Sequence, residues 1–103
     1  MSTPYITIPE GLPGIRGPLS LRPEVAKPLS ALAEVVMRAD HSLTRGEREL
    51  IASYVSHLNN CYFCDMAHSS VAQHYLQCSS DFMSTIKSDF NKANISDKLK
   101  AFL

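Results

Sequence analysis

The sequence predicts an all-α fold, on three observations. An apolar stripe at helical spacing, Leu50, Ile51, Tyr54, Val55 and Leu58, follows a helix-capping pattern. The segment from Cys61 to Gln77 contains no proline or glycine to interrupt a helix. No run of alternating β-branched residues occurs anywhere in the chain.

The elements follow in order. Residues 1–21 hold Pro4, Pro9, Pro13 and Pro18 with Gly11, Gly14 and Gly17. Proline lacks a backbone donor and glycine is costly to order, so an extended, irregular arm is expected. Its apolar side chains, Ile6, Ile8, Leu12, Ile15 and Leu19, suit an arm laid over its own domain or a neighbouring subunit. Residues 22–103 are expected to form the helical domain. Pro23 fits a first helical turn, and Pro28 is expected to break the segment, leaving a short turn and then a helix from Pro28 to about Arg38. "TRGE" from Thr44 matches a capping box and opens the next helix, which ends near Leu58 before the turn-forming "NN". A third helix is expected over Cys61 to Gln77. A short one follows over Asp81 to about Lys87, capped by Ser79 or Ser80, and Ser96 caps a last one.

At 103 residues one small domain is expected. Hydrophobic content of 45% and charged content of 19% are those of an ordinary globular protein. Ten basic and ten acidic residues give a formal net charge of zero, which argues against nucleic acid or an anionic membrane as partner. No apolar run reaches membrane-spanning length, and "MSTPYITIPEGLPG" shows no export signal. The cytoplasm is therefore the expected location. Three cysteines are too few, and odd in number, for a disulfide-stapled fold. In a reducing compartment a close pair is more often catalytic or metal-binding. Near-zero charge also leaves little barrier to self-association.

"NNCYFCDMAHSS", Asn59 to Ser70, carries the chemistry. Place the two middle helices antiparallel across the "NN" turn. Glu49 and His68 then lie level, each about 14–15 Å from the turn. Cys64 is one turn from His68 on the same helix, and Cys61 one turn further back. A helix N-terminus stabilises thiolate. His68 can take a proton, Glu49 can orient the imidazole and stabilise its cation, and a second thiol can resolve a sulfenic acid into a disulfide. Singly, each residue is more simply a core cysteine or a solvated histidine; the combination favours a redox pair. A zinc site from Cys61, Cys64, His68 and His74 ranks lower, because four ligands along one helix cannot surround a metal. Cys78 reads as structural or incidental, His41 and His57 as surface residues, and Met66, Val71 and Tyr75 as core or interface.

The stretch "TRGERELIASYVSHLNNCYFCDMAHSSVA" resembles the signature of the AhpD-like alkylhydroperoxidases of the carboxymuconolactone decarboxylase superfamily: a Glu, eleven residues, then C-x-x-C-x-x-x-H. "IPEGLPGIRGPLSLRPEVAKPLSALAEVVMR" resembles the leader of the peroxidase-related branch, so the likeness covers Ile8 to about Ala72. It implies an AhpD-like helical fold in a single repeat, with Cys64 as peroxidatic cysteine, Cys61 as resolving cysteine, and His68 with Glu49 as proton relay. It further implies a small hydroperoxide substrate, a dithiol or thiol-protein reductant, no cofactor, and a homo-oligomer, trimeric or hexameric. In the family's alkylhydroperoxidases a second His precedes the second cysteine; here that position is Phe63. The competing readings are a non-catalytic helical oligomerisation or binding module with a vestigial pair, and a carboxymuconolactone decarboxylase-like enzyme, although the member naming the superfamily generally lacks the pair.

Overall fold

The computed structural model describes residues 3–103. Among them every regular element is helical: α1 (Arg16–Leu19), α2 (Pro23–Arg38), α3 (Arg45–Leu58), α4 (Tyr62–Leu76), α5 (Ser80–Asp89), a 3-10 turn (Phe90–Lys92) and α6 (Asp97–Lys100). The chain divides into two units, the first closing at Ala39 and the second running Asp40–Leu103.

In the first unit, the arm is irregular up to Ile15 and then makes one helical turn, α1. The Ser20 hydroxyl closes that turn by donating to the Gly17 carbonyl at 2.6 Å. Gly17 is buried, and a Cβ there would lie 2.6 Å from the Ile8 side chain, so glycine is what lets the arm fold back on itself. Helix α2 corrects the sequence expectation: it begins at Pro23 and runs without a break through Pro28. Pro28 sits near the N-terminal end of the helix, so it removes only a bond to an early carbonyl, and that cost does not end the helix. No residue of α2 is buried.

The second unit is organised around the α3–α4 hairpin, with α5 packed on both helices. The capping box forms as the sequence predicts: Thr44 Oγ1 accepts from the Glu47 N–H at 3.1 Å, and Glu47 Oε2 accepts from the Thr44 N–H at 3.2 Å. Asn59 caps α3, and Asn60 takes the left-handed conformation at φ 55°, a region asparagine tolerates better than most residues. That residue turns the chain back within two positions. The Cys61 N–H then donates to the Ser56 carbonyl at 2.9 Å, and Cys61 becomes the N-cap of α4.

The core comprises Leu50, Ala72, Met83, Ile86, Ala93 and Leu99. Ser79 caps α5 by accepting from the Phe82 N–H, and Ser96 caps α6 by accepting from the Leu99 N–H, both at 3.1 Å. The expected stripe on α3 is only half buried. Leu50 is fully enclosed and Ile51 and Tyr54 pack on the core, but Val55 and Leu58 are exposed. The face that turns inward holds Gly46, Glu49, Leu50 and Ser53. Its spacing is equally helical, but two of its four members are polar, so hydrophobicity did not reveal it. Met66 and Tyr75 are exposed; Tyr75 instead carries the Arg45 guanidinium 4.3 Å above its ring.

Gly46 sets how closely the helices meet. A Cβ there would lie 2.7 and 2.8 Å from Leu76 Cγ and Cδ2 and 3.1 Å from Tyr75 Cβ. Alanine improves intrinsic helix propensity by about 1 kcal/mol, whereas forcing a methyl into a filled contact costs about 1–3 kcal/mol. We expect overpacking to win, so Gly46→Ala lowers stability by about 1 kcal/mol in urea denaturation. A more stable variant would show that the helices are not in close contact at this level.

Candidate functional site

The hairpin carries the four sequence-predicted residues on its two helices, Glu49 on α3 and the other three at the start of and along α4. Cys61 caps α4 and Cys64 lies in its first turn. Their sulfurs are at disulfide-bonding distance, with Cα atoms 5.4 Å apart, inside the usual range for a bridge. Across the interface, Glu49 Oε2 is 2.6 Å from His68 Nδ1. Glu49 is 6% exposed and the His68 side chain 36%. The contact therefore has a sheltered carboxylate on one side and an accessible imidazole on the other. Because Nδ1 is taken by Glu49, His68 has Nε2 for further proton exchange.

A second polar cluster lies beside the pair, and the sequence reading missed it. Asp65, the residue after Cys64, accepts at Oδ1 from the Ser53 hydroxyl at 2.7 Å and from the Ser69 hydroxyl at 3.3 Å. Lys87, reaching from α5, is 2.6 Å from the same oxygen and donates to Ser69 Oγ at 2.8 Å. The hydroxyls of Ser53 and Ser69 are 2.7 Å apart. The outer oxygen of Asp65, Oδ2, faces His57 Nδ1 at 3.6 Å. Burial pushes the Asp65 carboxyl up, but the Lys87 and Ser53 hydrogen bonds, the Lys87 charge and the Ser69 hydroxyl together bring it below the usual carboxylate value.

A signal for this cluster was present. The level-helix argument that pairs Glu49 with His68 also pairs Ser53, one turn on, with Asp65. Lys87 was not accessible to it, since nothing local fixes how α5 lies on the hairpin. His57 read as a surface residue and is half exposed, yet it belongs to the cluster.

A cavity of about 200 Å³ opens beside the pair, lined by His57, Asn60, Cys61, Tyr62 and Asp65. The third cysteine, Cys78, packs against the core away from the pair, and burial pushes its thiol up. It lines a different cavity of about 360 Å³, with Leu50, Leu76, Phe82 and Leu99. His74 stacks edge-on against Tyr75 at 5.0 Å. Among the described residues, no group of three or more His, Cys, Asp or Glu side chains is placed to hold a metal ion, and no helix is long and apolar enough to cross a membrane.

The profile of the carboxymuconolactone decarboxylase family matches residues 23–75, from the start of α2 to the end of α4. The chain belongs to the carboxymuconolactone decarboxylase family. Its fold is the AhpD-like one. A solved structure of similar fold is the alkylhydroperoxidase AhpD core of an uncharacterized peroxidase-related protein from Ralstonia eutropha JMP134. It superimposes with a TM-score of 0.72 at 28% identity, over 84% of this chain and 45% of that one. This carboxymuconolactone decarboxylase-family chain thus spans about half the length of that protein. A search of curated sequences returns no significant match.

The Asp65 cluster has a pH signature. A carboxyl whose folded value lies below its unfolded one contributes stability above the unfolded value, and loses it as pH falls through the folded value. Asp65→Asn leaves Lys87 facing an uncharged amide. We expect it to cost about 1–3 kcal/mol near neutral pH, the range for losing a hydrogen bond to a charged, partly buried group. The difference from the native protein should shrink as the pH drops below about 4. Urea titrations of both proteins across pH 3–7 check this. A difference independent of pH would mean that the charge of Asp65 does not matter.

Proposed function

We propose that the protein is a thiol-dependent hydroperoxide reductase that uses Cys61 and Cys64 as a redox pair and His68 with Glu49 as its proton relay. The observation that carries this reading is the 2.6 Å contact between a buried Glu49 and an accessible His68, one helical turn from Cys64. A buried carboxylate held on one imidazole nitrogen favours the cation on that ring, and an imidazolium beside a thiol favours thiolate.

In this reading the Cys64 thiolate attacks one hydroperoxide oxygen and the O–O bond breaks. The sulfur becomes a sulfenic acid, and the departing alkoxide takes the proton of the His68 imidazolium and leaves as an alcohol. The Cys61 thiol then attacks the sulfenic sulfur, forming the disulfide and releasing water. Two electrons from a dithiol, either a small molecule or a thiol protein, restore the pair, so the cycle needs no cofactor. An antioxidant role and a cytoplasmic setting accord with this chemistry.

Hydroperoxide turnover with a dithiol reductant tests the reading, with three proteins side by side. The native protein should consume hydroperoxide and Cys64→Ser should not. Glu49→Gln, which keeps the shape but removes the charge, should be slower. Its Cys64 alkylation should also be slower near neutral pH, because one supporting charge is lost. Alkylation curves that superimpose would remove the relay, and turnover that survives Cys64→Ser would remove the assignment of the nucleophile.

We further propose that the chain works as a homo-oligomer, a trimer or hexamer. Val25, Leu29 and Leu32 lie along one face of α2 at i, i+4 and i+7 with Val35 beside them, and all four are exposed. A contiguous apolar face of this kind marks an interaction surface, and the zero net charge opposes association only weakly. Light scattering at micromolar concentration should show a trimer or hexamer that Leu32→Glu breaks into smaller species. A native monomer would refute the proposal.

A further inference from the structure

The Glu49–His68 contact serves Cys64, but the redox cycle also moves a proton at Cys61, and His68 stands seven residues from Cys61 along α4. Cys61 opens instead on the cavity of about 200 Å³. Its lining includes Cys61 and His57 but neither Cys64 nor His68. His57 comes from the last turn of α3, and the hairpin turn folds Cys61 back beside it: the Asn60 N–H donates to the His57 carbonyl at 3.0 Å and the Cys61 N–H to the Ser56 carbonyl at 2.9 Å. The imidazole does not hang free. Its Nδ1 faces Asp65 Oδ2 at 3.6 Å, while Asp65 Oδ1 is held by Ser53, Ser69 and Lys87. The Asp65 side chain is 14% exposed and that of His57 is 48%. A fixed carboxylate therefore stands behind a solvent-reaching imidazole, the same order of parts as Glu49 and His68.

We infer that His57, oriented by Asp65, handles the proton at Cys61, and that the reductant's thiol reaches the disulfide at Cys61 through this cavity. The inference rests on the redox-pair reading of the site, though not on the identity of the oxidant. The titratable and charged groups around His57 are Asp65, Tyr62 and Cys61 from the start of α4, and Lys87 from α5 behind Asp65.

His57 takes the proton of the first reductant thiol, and that sulfur attacks Cys61. The Cys61–Cys64 bond breaks, and Cys64 leaves as a thiolate. The reductant's second thiol loses its proton to water, from which His68 is reloaded, and attacks its own sulfur in the mixed disulfide. Cys61 leaves and receives the proton held by His57. The site gains two electrons and two protons, one on Cys61 and one on His68 beside the Cys64 thiolate, and the dithiol becomes a disulfide. The cavity is far too small for a folded partner, so what enters is a thiol on a slender arm. Tyr62, highly exposed at its edge, offers an apolar ring for that arm to lie on.

The test uses the full chain in its oxidised form and dithiothreitol as the probe, with no hydroperoxide present. Reduction is followed by rapid acid quench and mass spectrometry in the native protein, His57→Ala and His57→Gln. We expect both variants to be reduced about 10- to 100-fold more slowly near pH 7, at or below the low end for general acid–base catalysis. The ratio of native to variant rate should change with pH, and added imidazole should recover part of the rate in His57→Ala. Thermal unfolding of His57→Gln guards against a folding defect. With a monothiol in excess, the trapped mixed disulfide should lie on Cys61. Rates and pH profiles that superimpose on the native ones, loss of rate without imidazole recovery, or an adduct on Cys64 would each overturn the inference. Hydroperoxide turnover is measured separately. A native protein that fails to consume hydroperoxide but shows His57-dependent reduction loses the peroxidase reading and keeps this one, whereas turnover with His57-independent reduction does the reverse.

Discussion

Glu49 is a carboxylate sealed inside a small protein, and its burial constrains everything around it. Taking an ionised carboxyl out of water without a partner costs several kcal/mol, a large share of what a domain of this size can hold in reserve. The contact with His68 offsets that cost, but only at one register of the hairpin. Sliding α4 by one residue along α3 would turn His68 about 100° away and leave Glu49 unpaired. The same register places Ser53 against Asp65 and Ser69, and brings Gly46 up against Leu76. Polar pairing thus selects an alignment that Leu50 and Ala72 alone would specify weakly, since aliphatic contacts tolerate displacement better than hydrogen bonds do.

The hairpin interface is consequently of two kinds. Part of it is apolar and continuous with the core of Leu50, Ala72, Met83 and Ile86. Elsewhere it is a chain of hydrogen bonds from Ser53 through Asp65 and Ser69 to Lys87. Networks of this sort are costly when incomplete and rigid when complete. Lys87 completes this one, and it comes from the helix that also supplies Met83 and Ile86 to the core. Loss of α5 packing would therefore unsettle the residues beside the cysteines as well as the hydrophobic centre.

Much of this was legible in the sequence, and the limits have physical causes. The Thr44 capping box, the Asn59–Asn60 turn and the serine caps are local patterns, and the structure contains each of them. The level placement of Glu49 and His68 followed from helix rise and a tight turn alone. Pro28 misled because proline near a helix start costs one bond, whereas the expectation treated it as a stop. The apolar stripe misled at Val55 and Leu58 because it ignored Glu49 and Ser53, polar residues buried by virtue of their partners. The short 3-10 turn at Phe90–Lys92 carried no periodic signal, and its Asp89 cap, accepting from the Asn91 N–H, is visible only once the chain is folded. Lys87 illustrates the general limit: its role depends on the angle at which one helix lies on two others.

The charges around the pair show how two neighbouring thiols can be given different work. Both cysteines lie at the N-terminal end of α4, where a helix dipole contributes about 0.3–1 kcal/mol to a nearby anion. Cys61 is the cap and Cys64 is in the first turn, so the dipole favours both thiolates and distinguishes them little. A bare carboxylate at Asp65 would disfavour thiolate at its neighbour. Lys87 at 2.6 Å largely cancels that charge, leaving the nearby bases to set the difference. On the α4 face lies His68 with Glu49 behind it; across the hairpin turn lies His57 with Asp65 behind it. The two carboxylates are not equivalent. Glu49 spends its oxygen directly on an imidazole at 2.6 Å, whereas Asp65 divides its oxygens between a lysine and an imidazole at 3.6 Å. Electrostatic support should be the stronger where the carboxylate is committed to the ring alone, because a lysine shared on the other oxygen weakens the field that reaches the histidine. In the proposed cycle that asymmetry suits the thiol that must be a ready nucleophile in the resting protein, Cys64. It leaves Cys61 the thiol that holds its proton until its partner has been oxidised.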